Sequence, residues 1–422
     1  MDPNRRDVLE KYLSRDWYSE KARQEKMERY LEWMARQERP AMRVAGPDRG
    51  VRVLNVAVVG LGRGRFMARL CDLLDRSRTV AVCDEVPDLA EYVADELDVP
   101  RSYRRYDDML RDDEVRVVVV ETGTDRHGEH AIQALQAGKH VFVEMPLAVT
   151  LEECRAIVDL SEESGLKVQM GNQLRWYNRY EALKKLCVEG EFGKVQYVEA
   201  EYNCDYRRRK RYWVEREREV GMPADRGCEG GIEPPLNAAV HTTFDTSRWL
   251  LGDEQIVEVE AFGMRGTSFV EGSPEEGFGG IAGDGFDSAV ALMKSESGVI
   301  VKALQSYGFR RPHLNYLALY GTLGCYEGER RNEVGSGYVH LPHRFLNTVE
   351  SGDGWMELPL ITGTGPGHQG AEFDMMLDFF DAIVRDRRPL IDAVQAARSC
   401  APAICGELAA ARGERVTVPQ FP

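Results

Sequence analysis

The sequence lacks the features of a membrane protein or a secreted protein. It has no apolar run near the roughly 20 residues that span a bilayer, and Met1 to Arg6 carries charges where a signal peptide would have its apolar core. Nine cysteines are scattered along the chain without a Cys-x-x-Cys pair, a pattern that is atypical of a disulfide framework or a zinc site. We therefore expect a cytoplasmic protein with no membrane partner and no bound metal.

Positive charge is also in short supply. The chain has 55 Lys and Arg residues against 70 Asp and Glu residues, a net charge of −15 at pH 7. A nucleic acid is a polyanion and would be repelled by such a chain at long range. The partner that we expect is a small molecule and not a nucleic acid.

The apolar pattern divides the chain into three regions, 1–50, 51–172 and 173–422. In the first, Met27, Tyr30, Leu31 and Met34 follow the spacing of one face of a helix, and a Pro- and Gly-rich linker from Pro40 to Gly50 ends the segment. Such a segment cannot bury its apolar stripe alone, so it must dock on its own domain or on another subunit. We expect a helical N-terminal extension and a homo-oligomer, either a dimer or a tetramer.

The other two regions predict two different sheets. From Val51 onward, near-continuous apolar strands alternate with helices, and the strands are expected at 54–59, 79–83, 115–120, 140–143 and 167–170. This alternation is typical of an α/β Rossmann domain with a doubly wound parallel sheet. After Gly171, strand-like segments at 194–202, 255–262, 289–294, 299–305 and 316–320 have few helices between them. They predict an α+β domain with a large open antiparallel sheet, closed by helices near 371–385 and 393–411.

A glycine-rich turn stands between the first strand and the first helix. It reads Gly60-Leu61-Gly62-Arg63-Gly64-Arg65, and glycines there let the backbone turn tightly and approach a pyrophosphate at the helix N-terminus. Asp84 follows the second strand at about the 20-residue distance expected of the group that binds the ribose hydroxyls. Because Glu85 beside it would repel a 2′-phosphate, we predict that NAD binds in preference to NADP. The pattern has one departure, since Arg65 stands where the third glycine of G-x-G-x-x-G would fall.

Several segments together resemble the Gfo/Idh/MocA family of NAD(P)-dependent enzymes that act on sugars and polyols. The resemblance rests on the segment from Ala137 to Pro146 and on the segment from Gly230 through His241 to Gly252. It implies that the loop from Thr122 to His127 lies near the nicotinamide and that the second domain's sheet covers the cofactor. The predicted cofactor-binding residues are Gly60, Gly62, Arg63, Gly64, Arg65, Asp84, Thr122, Thr124, His127, Glu144, Met145, Pro146 and Asn172.

The resemblance fails at two positions that carry chemistry. Family dehydrogenases have Glu-Lys-Pro, with the lysine polarising the substrate oxygen, and here Met145 stands in the lysine position. They also have an Asp four residues before the catalytic His, and here that residue is Asn237. Of this trio His241 alone remains, and the candidate catalytic residues are His241, Asn237 and Tyr202, a tyrosine being one donor that can compensate for the lysine. Without the resemblance, a hydrogen-bonded core histidine is the favoured interpretation of His241, and the resemblance favours a site role instead. Met145 is interpreted as a packed apolar side chain without a role in proton transfer.

Further polar residues are candidates for substrate binding. Arg175, Trp176 and Tyr177 follow the strand at 167–170, where the resemblance implies an Arg and an aromatic residue near substrate. Tyr206 and Arg207 open a basic, aromatic segment that either binds an anionic sugar or forms a solvated loop or a subunit contact. His368, in Gly367-His368-Gln369-Gly370, lies in a segment resembling one in the family's glycosidase branch, and it is either a substrate ligand or a helix-entry residue.

Three functions agree with the sequence. The first is an NAD-dependent oxidoreductase that transfers hydride between the nicotinamide and a sugar or polyol carbinol. The second is a redox-neutral NAD-dependent glycoside hydrolase, which oxidises a sugar transiently and eliminates the aglycone; the family has such branches, some without the lysine. The third is a non-catalytic, nucleotide-dependent binding protein.

Overall fold

We describe the fold from a computed structural model of the chain. The described residues are 53–86, 88–203, 240–264, 288–307, 314–330, 337–342, 355–358 and 368–422, together with the single positions 236, 286 and 309. The predicted helical extension at 1–50 lies outside them.

The described residues form two compact units. One contains those up to 144, those of 156–173 and those of 368–393; the other contains 145–155, the described residues of 174–358, and 394–422. The chain thus returns to the first unit near its C-terminal end. The domain bounds 51–172 and 173–422 stay a prediction.

A parallel sheet of six strands is the centre of the first unit. The strands are β1 (Leu54–Val59), β2 (Ser77–Cys83), β3 (Ser102–Tyr103), β4 (Val117–Val120), β5 (His140–Glu144) and β6 (Val168–Gly171), in the order β3-β2-β1-β4-β5-β6. Every neighbouring pair is parallel. All four valines of β4 are buried, because a central strand of such a sheet is covered on both faces.

Helices cover this sheet. They are α1 (Gly64–Asp72), α2 (Leu89–Leu97), α3 (Tyr106–Leu110), α4 (Thr124–Gln136) and α5 (Leu151–Ser164), the last of which has only its part from 156 onward in this unit. A later helix, α8 (Ala371–Val384), packs against the same sheet: Gln169 of β6 donates to the carbonyl of Met375 at 3.0 Å, and the rings of Phe142 and Phe379 lie 5.9 Å apart. These contacts bring the first turn of α8 to the edge of the sheet where β5 ends.

A nine-stranded sheet is the centre of the second unit. Its strands are β7 (Val195–Asn203), β8 (Ile256–Met264), β9 (Ser288–Ser295), β10 (Ile300–Ser306), β11 (Leu314–Gly321), β12 (Cys325–Gly328), β13 (Gly337–His340), β14 (Trp355–Leu358) and β15 (Val416–Thr417). They lie in the order β14-β13-β12-β11-β7-β10-β9-β8-β15. Helices α6 (Asn178–Val188), α7 (Thr246–Leu250) and α9 (Ala393–Arg412) belong to this part of the chain.

The predicted fold class is confirmed, with two differences in detail. The two-residue strand β3 was not predicted, because Ser102 and Tyr103 are too few to show a periodic pattern. The pairing of β7 with β10 is parallel, whereas the other pairs of the second sheet are antiparallel among the described strands. No helix among the described residues is long and apolar enough to cross a membrane.

Candidate functional site

The glycine turn between β1 and α1 has the geometry of a phosphate-binding loop. Gly60 has a φ of +83°, and a Cβ there would lie 2.6 Å from the backbone oxygen of Glu121. A Cβ on Gly62 would meet nothing within 4 Å, which leaves that backbone open to a ligand. At Gly64 a Cβ would lie 2.8 Å from Cγ1 of Val58, so this glycine permits the close packing of α1 on β1. Gly64 therefore does the packing that the third glycine of the motif usually does.

Arg65 occupies the position of the motif's third glycine without blocking the loop. Its side chain is buried and forms an ion pair with Glu96 near the end of α2, an acid that also pairs with Arg69. The arginine thus joins α1 to α2. Its predicted contact with the cofactor stays a prediction.

Asp84 braces the glycine turn from the end of β2. Its Oδ2 accepts the N–H of Leu61 at 2.7 Å, and its Oδ1 accepts the N–H of Val86 at 2.9 Å. Burial raises the pKa of Asp84, and the two backbone N–H groups partly oppose that shift. A carboxylate has about four acceptor positions, so two hydroxyls of a ribose still fit. Glu85 is exposed beside it, and the preference for NAD over NADP stays a prediction.

The side chain of Arg63 is held among three carboxyl groups, and we call these four residues the Arg63 cluster. Arg63 forms a hydrogen-bonded ion pair with Glu372 in the first turn of α8. Its Nε lies 3.4 Å from Oε2 of Glu121, which follows β4, and 3.7 Å from Oε1 of Glu144, which ends β5. The carboxyl ends of β4 and β5 and the start of α8 therefore meet at one guanidinium.

The two buried acids of the Arg63 cluster differ in charge. Burial alone would raise the pKa of Glu372, but the attraction of Arg63 and His368 outweighs it and lowers the pKa to about 2. Burial, the repulsion of Glu144 and that of Glu372 hold the pKa of Glu121 well above its usual range, against the attraction of Arg63. Neither carboxyl oxygen of Glu121 has a hydrogen-bond partner among the described residues. Glu372 is thus an ionised acid, while Glu121 keeps its proton far more readily.

His368 is fixed by the same acid. Its Nδ1 lies 2.8 Å from Oε1 of Glu372. Because an ionised carboxylate only accepts hydrogen bonds, the proton of the neutral ring must be on Nδ1, and Nε2 remains an acceptor. The side chain is 30% exposed, so a ligand can reach it.

The loop after β4 is braced by histidines. Nε2 of His127 lies 3.1 Å from the carbonyl oxygen of Thr122, and Oγ1 of Thr122 lies 3.1 Å from Nδ1 of His130. Burial, assisted by Arg126 and His127, lowers the pKa of His130 to about 4. Thr124 begins α4 at the end of this loop. The predicted contacts of Thr122, Thr124 and His127 with the cofactor stay predictions.

Three of the predicted cofactor-binding residues, Glu144, Met145 and Pro146, stand at the end of β5, and their contact with the cofactor stays a prediction. Glu144 ends the strand, and its Oε2 is so close to Gly171 of β6 that a Cβ there would lie 2.7 Å from it. The next peptide, Met145–Pro146, is cis, Met145 is partly exposed and Pro146 is buried. Asn172, just after β6, is buried.

In the second unit, the segment that carries His241 is a π-helix from Val240 to Asp245, followed directly by α7. Oγ1 of Thr242 donates to Oδ1 of Asn315 on β11 at 2.6 Å. Asn315 is the register partner of Tyr202 on β7. This hydrogen bond therefore brings the backbone of residue 241 next to the position of Tyr202 on β7. His241 and Tyr202 are two of the three candidate catalytic residues.

Arg175, a candidate for substrate binding, lies in a buried ion pair. Its Nε and Nη2 donate to the two carboxyl oxygens of Asp245 at 2.7 and 2.6 Å, and both side chains are buried. Oγ of Ser399 donates to the same carboxylate at 2.8 Å and accepts from Nη1 of Arg248 at 2.7 Å. We call Arg175, Asp245, Arg248 and Ser399 the Asp245 cluster. A substrate contact of Arg175 stays a prediction.

Of the other candidates for substrate binding and catalysis, the structure describes Trp176 and Tyr177 but several others lie outside the described residues. Trp176 and Tyr177 are partly exposed, and the ring of Tyr177 stacks on Tyr180 with 6.3 Å between centroids. The positions of Tyr206, Arg207 and Asn237 lie outside the described residues, as does the side chain of His241.

Sequence reasoning missed Glu121, Glu372 and Asp245. Glu121 could have been found, because a charged residue directly after the buried run of β4 stands at the edge of a parallel sheet where ligands bind. Glu372 is four residues after His368, a spacing that lets two side chains meet at a helix start, and Asp245 stands four residues after His241 in sequence. Their ion partners are distant in sequence, and no local pattern indicates them.

Two family profiles match this chain. One is described as an oxidoreductase family, NAD-binding Rossmann fold, and covers residues 54–172; the other is the GFO/IDH/MocA C-terminal domain and covers 180–327. The chain belongs to the Gfo/Idh/MocA family. The resemblance inferred from the sequence is confirmed, and the cofactor of this Rossmann domain is NAD.

Several curated proteins are similar to this Gfo/Idh/MocA chain. Inositol 2-dehydrogenase of Salmonella typhimurium is 32% identical over 145 residues, which are 33% of this chain and 43% of that protein. The scyllo-inositol 2-dehydrogenase (NAD(+)) of Bacillus subtilis is 30% identical over 208 residues, 47% of this chain and 54% of that protein. A glycosyl hydrolase family 109 protein of Shewanella putrefaciens is 29% identical over 167 residues, 36% of this chain and 35% of that protein. The chain spans about half the length of the inositol dehydrogenases that it matches.

Solved structures share the fold. An oxidoreductase domain protein from Kribbella flavida superposes with a TM-score of 0.69 at 20% identity, covering 87% of this chain and 100% of that chain. An oxidoreductase from Agrobacterium radiobacter in complex with NAD+, L-tartaric acid and magnesium has a TM-score of 0.66 at 16% identity, covering 86% of this chain and 98% of that chain. The glycine turn and Asp84 described above are the features of this chain that fit such a dinucleotide.

Proposed function

We propose that this protein catalyses hydride transfer between NAD and the carbinol of a sugar or polyol. The inositol dehydrogenases among its relatives support this substrate class. The observation that carries the proposal is the hydrogen bond from Thr242 to Asn315, which holds the π-helix of His241 beside Tyr202. π-helical turns are rare and frequently mark functional sites.

Oxidation of a carbinol needs a group that takes the hydroxyl proton. NAD, when bound, accepts the hydride. Met145 has neither a charge nor a proton to exchange, so it cannot replace the family lysine in this step. An imidazole suits the task because an unperturbed histidine titrates near neutral pH; we assign this role to His241, which Asn237 would orient. The hydroxyl of Tyr202 would donate to the substrate oxygen in place of the lysine.

A second function, redox-neutral hydrolysis of a glycoside, is favoured by a different observation. His368 presents a partly exposed ring whose Nε2 can accept a proton, since Nδ1 is committed to Glu372. In such a reaction one sugar hydroxyl is oxidised, the carbon beside the new ketone loses a proton, and the aglycone leaves. Water then adds, and the hydride returns to the ketone. The glycosyl hydrolase family 109 relative and the absence of the lysine at Met145 also support this alternative.

One experiment separates these functions. The NAD-loaded protein is incubated in deuterium oxide with a panel of free sugars, polyols and aryl glycosides, and NADH, aglycone and deuterium in the sugar are measured. Stoichiometric NADH without aglycone release is the expected result and contradicts the glycosidase. Aglycone release with solvent deuterium in the sugar and no net NADH would contradict the dehydrogenase. Turnover of no compound in either assay would favour the third possibility, a non-catalytic binding protein.

The role of His241 is tested with the substrate that this panel identifies. We expect His241→Ala to lower turnover by about 10²–10⁴-fold, the usual contribution of a general acid–base group. His340→Ala is the matched control, because His340 lies on β13 with its ring 5.4 Å from Trp355 and has no place in the proposed chemistry. Equal losses in the two variants would remove His241 from the mechanism.

A further inference from the structure

We propose that Gln305 is a substrate-binding residue, whose amide holds a second hydroxyl of the sugar or polyol close to the carbinol that is oxidised. The inference rests on the proposed function, since it takes the substrate to react beside Tyr202 and the π-helix of His241. It narrows the substrate class to compounds with at least two neighbouring hydroxyls, because an isolated alcohol would leave the buried amide without a partner.

The packed face of the second sheet changes from apolar to polar at one level. Six buried apolar residues, two from each of three adjacent strands, are register partners on this face: Val301, Val198 and Leu319 in one line, and Ala303, Ala200 and Leu317 in the next. The line that follows on the same face consists of Gln305 on β10, Tyr202 on β7 and Asn315 on β11, and we call it the Gln305 row. Directly opposed residues of neighbouring strands point to the same side of a sheet, so these three polar side chains stand together.

The π-helix that carries His241 lies over the Gln305 row. It packs on β7, β10 and β11, the three strands that contain the row. Oγ1 of Thr242 donates to Oδ1 of Asn315 at one end of the row. Tyr202 and Asn315 are partly exposed, whereas Gln305 at the other end is buried. A ligand that covers Asn315 and Tyr202 therefore has Gln305 at its inner end.

The amide of Gln305 has unused hydrogen-bonding capacity. Gln305 is 0% exposed, and neither its Oε1 nor its Nε2 has a hydrogen-bond partner within the described part of the chain. Buried polar groups are rarely left in this state unless water, an ion or a ligand completes them. An amide both donates and accepts hydrogen bonds, and so does a hydroxyl group. A hydroxyl of a neutral sugar or polyol therefore matches the whole amide, whereas a carboxylate could use only its N–H groups.

The spacing of the strands suits one small ligand. Neighbouring strands lie about 4.8 Å apart. Because Tyr202 and Gln305 are direct register partners, their side chains can reach two oxygens of the same polyol. In the proposed reaction the hydroxyl of Tyr202 donates to the oxygen of the carbinol, and Gln305 holds a hydroxyl near it. Two fixed oxygens orient the carbinol better than one does.

Asn203 offers a matched control on the other face of the sheet. It follows Tyr202 directly on β7, so its side chain points to the opposite side. It is 1% exposed, and both polar atoms of its amide also lack a hydrogen-bond partner among the described residues. The amides of Asn203 and Gln305 thus share their burial and differ in the face on which they lie. A change at Asn203 reports the effect of removing such an amide outside the Gln305 row.

The test measures the binding of polyols to the NADH-loaded protein, in which the carbinol cannot be oxidised because the cofactor is already reduced. Calorimetry gives the dissociation constants of myo-inositol, scyllo-inositol, glucose and the monodeoxy analogues of each. We expect the wild type to bind at least one analogue about ten- to hundredfold more weakly than its parent, because that analogue leaves the amide of Gln305 unpaired. Gln305→Met should weaken binding of the parent by a similar factor and leave binding of that analogue unchanged, so that the discrimination disappears.

Urea unfolding without ligand is the second measurement. Gln305→Met and Asn203→Leu both replace an unpartnered amide by an apolar side chain of similar size, so both should unfold at the wild-type urea concentration or above it. Asn203→Leu should bind every compound as the wild type does.

The outcomes separate this inference from the proposed function. Wild-type protein that binds none of the compounds would contradict both. If the wild type binds them, but Gln305→Met keeps the wild-type discrimination or weakens parent and analogue equally, the inference alone is overturned. A lower urea midpoint in Gln305→Met than in Asn203→Leu would also overturn it, because the amide would then be hydrogen-bonded to water inside the folded protein.

Discussion

The Asp245 cluster and the Arg63 cluster both contain guanidinium and carboxyl groups, but they differ in how many hydrogen bonds the carboxyl oxygens accept. In the second unit, both carboxyl oxygens of Asp245 are held by a two-pronged guanidinium, and Ser399 adds a third hydrogen bond. In the first unit, one guanidinium serves three acids, it is 37% exposed, and Glu121 accepts no hydrogen bond from the described residues. A carboxylate whose oxygens are all hydrogen-bonded within the protein stabilises the fold. A carboxyl group with unused acceptor positions can still bind a ligand.

The pKa values of the carboxyl groups also differ between the two clusters. Burial would raise the pKa of Asp245, but the attraction of Arg175, and to a smaller extent that of Arg248, lowers it. Burial lowers the pKa of Arg248 to about 10 in spite of Asp245. In the Arg63 cluster only one of the two buried acids, Glu372, receives enough positive charge to stay ionised at low pH. We call the Asp245 cluster complete because both oxygens of its carboxylate accept hydrogen bonds, and the Arg63 cluster incomplete because those of Glu121 accept none from the described residues.

The largest effect that we expect comes from breaking the complete cluster. Asp245→Asn keeps the shape of the side chain but takes the buried counter-charge away from Arg175 and Arg248 and leaves the partly exposed Asp253 nearby, so we expect a loss of about 3–5 kcal/mol in the free energy of unfolding. Denaturant unfolding followed by circular dichroism measures it. The control is Asp253→Asn, whose carboxyl lies 3.4 Å from Arg175 with a side chain that is 32% exposed. That change should cost no more than about 1 kcal/mol. Losses of the same size in both variants would show that the buried ion pair contributes no more to the free energy of unfolding than the partly exposed one.

The opposite result is expected for the incomplete cluster. The folded-state pKa of Glu121 is raised, so its contribution to stability is fully present below the unfolded pKa of about 4.3 and is lost as pH rises toward the folded value. Over that window the free energy of unfolding should fall by up to about 1.4 kcal/mol per pH unit on account of this one group. Glu121→Gln removes the dependence, and the advantage of the variant over the wild type should be small at pH 5 and grow as the pH rises to 8.

This second prediction is measured by urea unfolding at several pH values between 5 and 8. Ser399→Ala in the complete cluster is its control, because it removes a hydrogen bond and no titrating group. The pH dependence of that variant should parallel the wild type. A wild-type slope that Glu121→Gln leaves intact would mean that Glu121 is ionised in the folded protein.

The fold could be predicted from the sequence because the spacing of apolar residues indicates where strands and helices lie. The valine run of β4 and the glycine turn after β1 are local signals, and the strands, the cofactor loop and Asp84 were found from them. The Arg63 cluster could not be found in this way. Its ion pair with Glu372 joins residues 309 positions apart, and only packing of α8 on the sheet brings them together. The resemblance implies a place near substrate for Arg175, but no local pattern indicates its ion pair with Asp245, 70 residues away.

The smallest effect concerns how the region around the glycine turn distinguishes ligands by charge. Glu85 is exposed and stands beside Asp84, so in NAD-bound protein it would lie near the 2′ position of the ribose, where NADP carries a phosphate. Removing this charge with Glu85→Gln should tighten NADP+ binding by about three- to tenfold while leaving NAD+ binding unchanged, since exposed charges interact weakly through water. Asp84→Asn should behave differently and weaken NAD+ binding, because Asp84 also holds the N–H of Leu61 in the turn.

Calorimetric titration of both cofactors at low and at high salt measures these effects, and the gain in Glu85→Gln should shrink at high salt because counter-ions screen the repulsion. Asp253→Asn in the second unit removes an equal charge far along the chain from the turn and should leave both constants unchanged. Wild-type protein that binds NADP+ as tightly as NAD+ would contradict the assignment of Asp84 and Glu85 to the ribose.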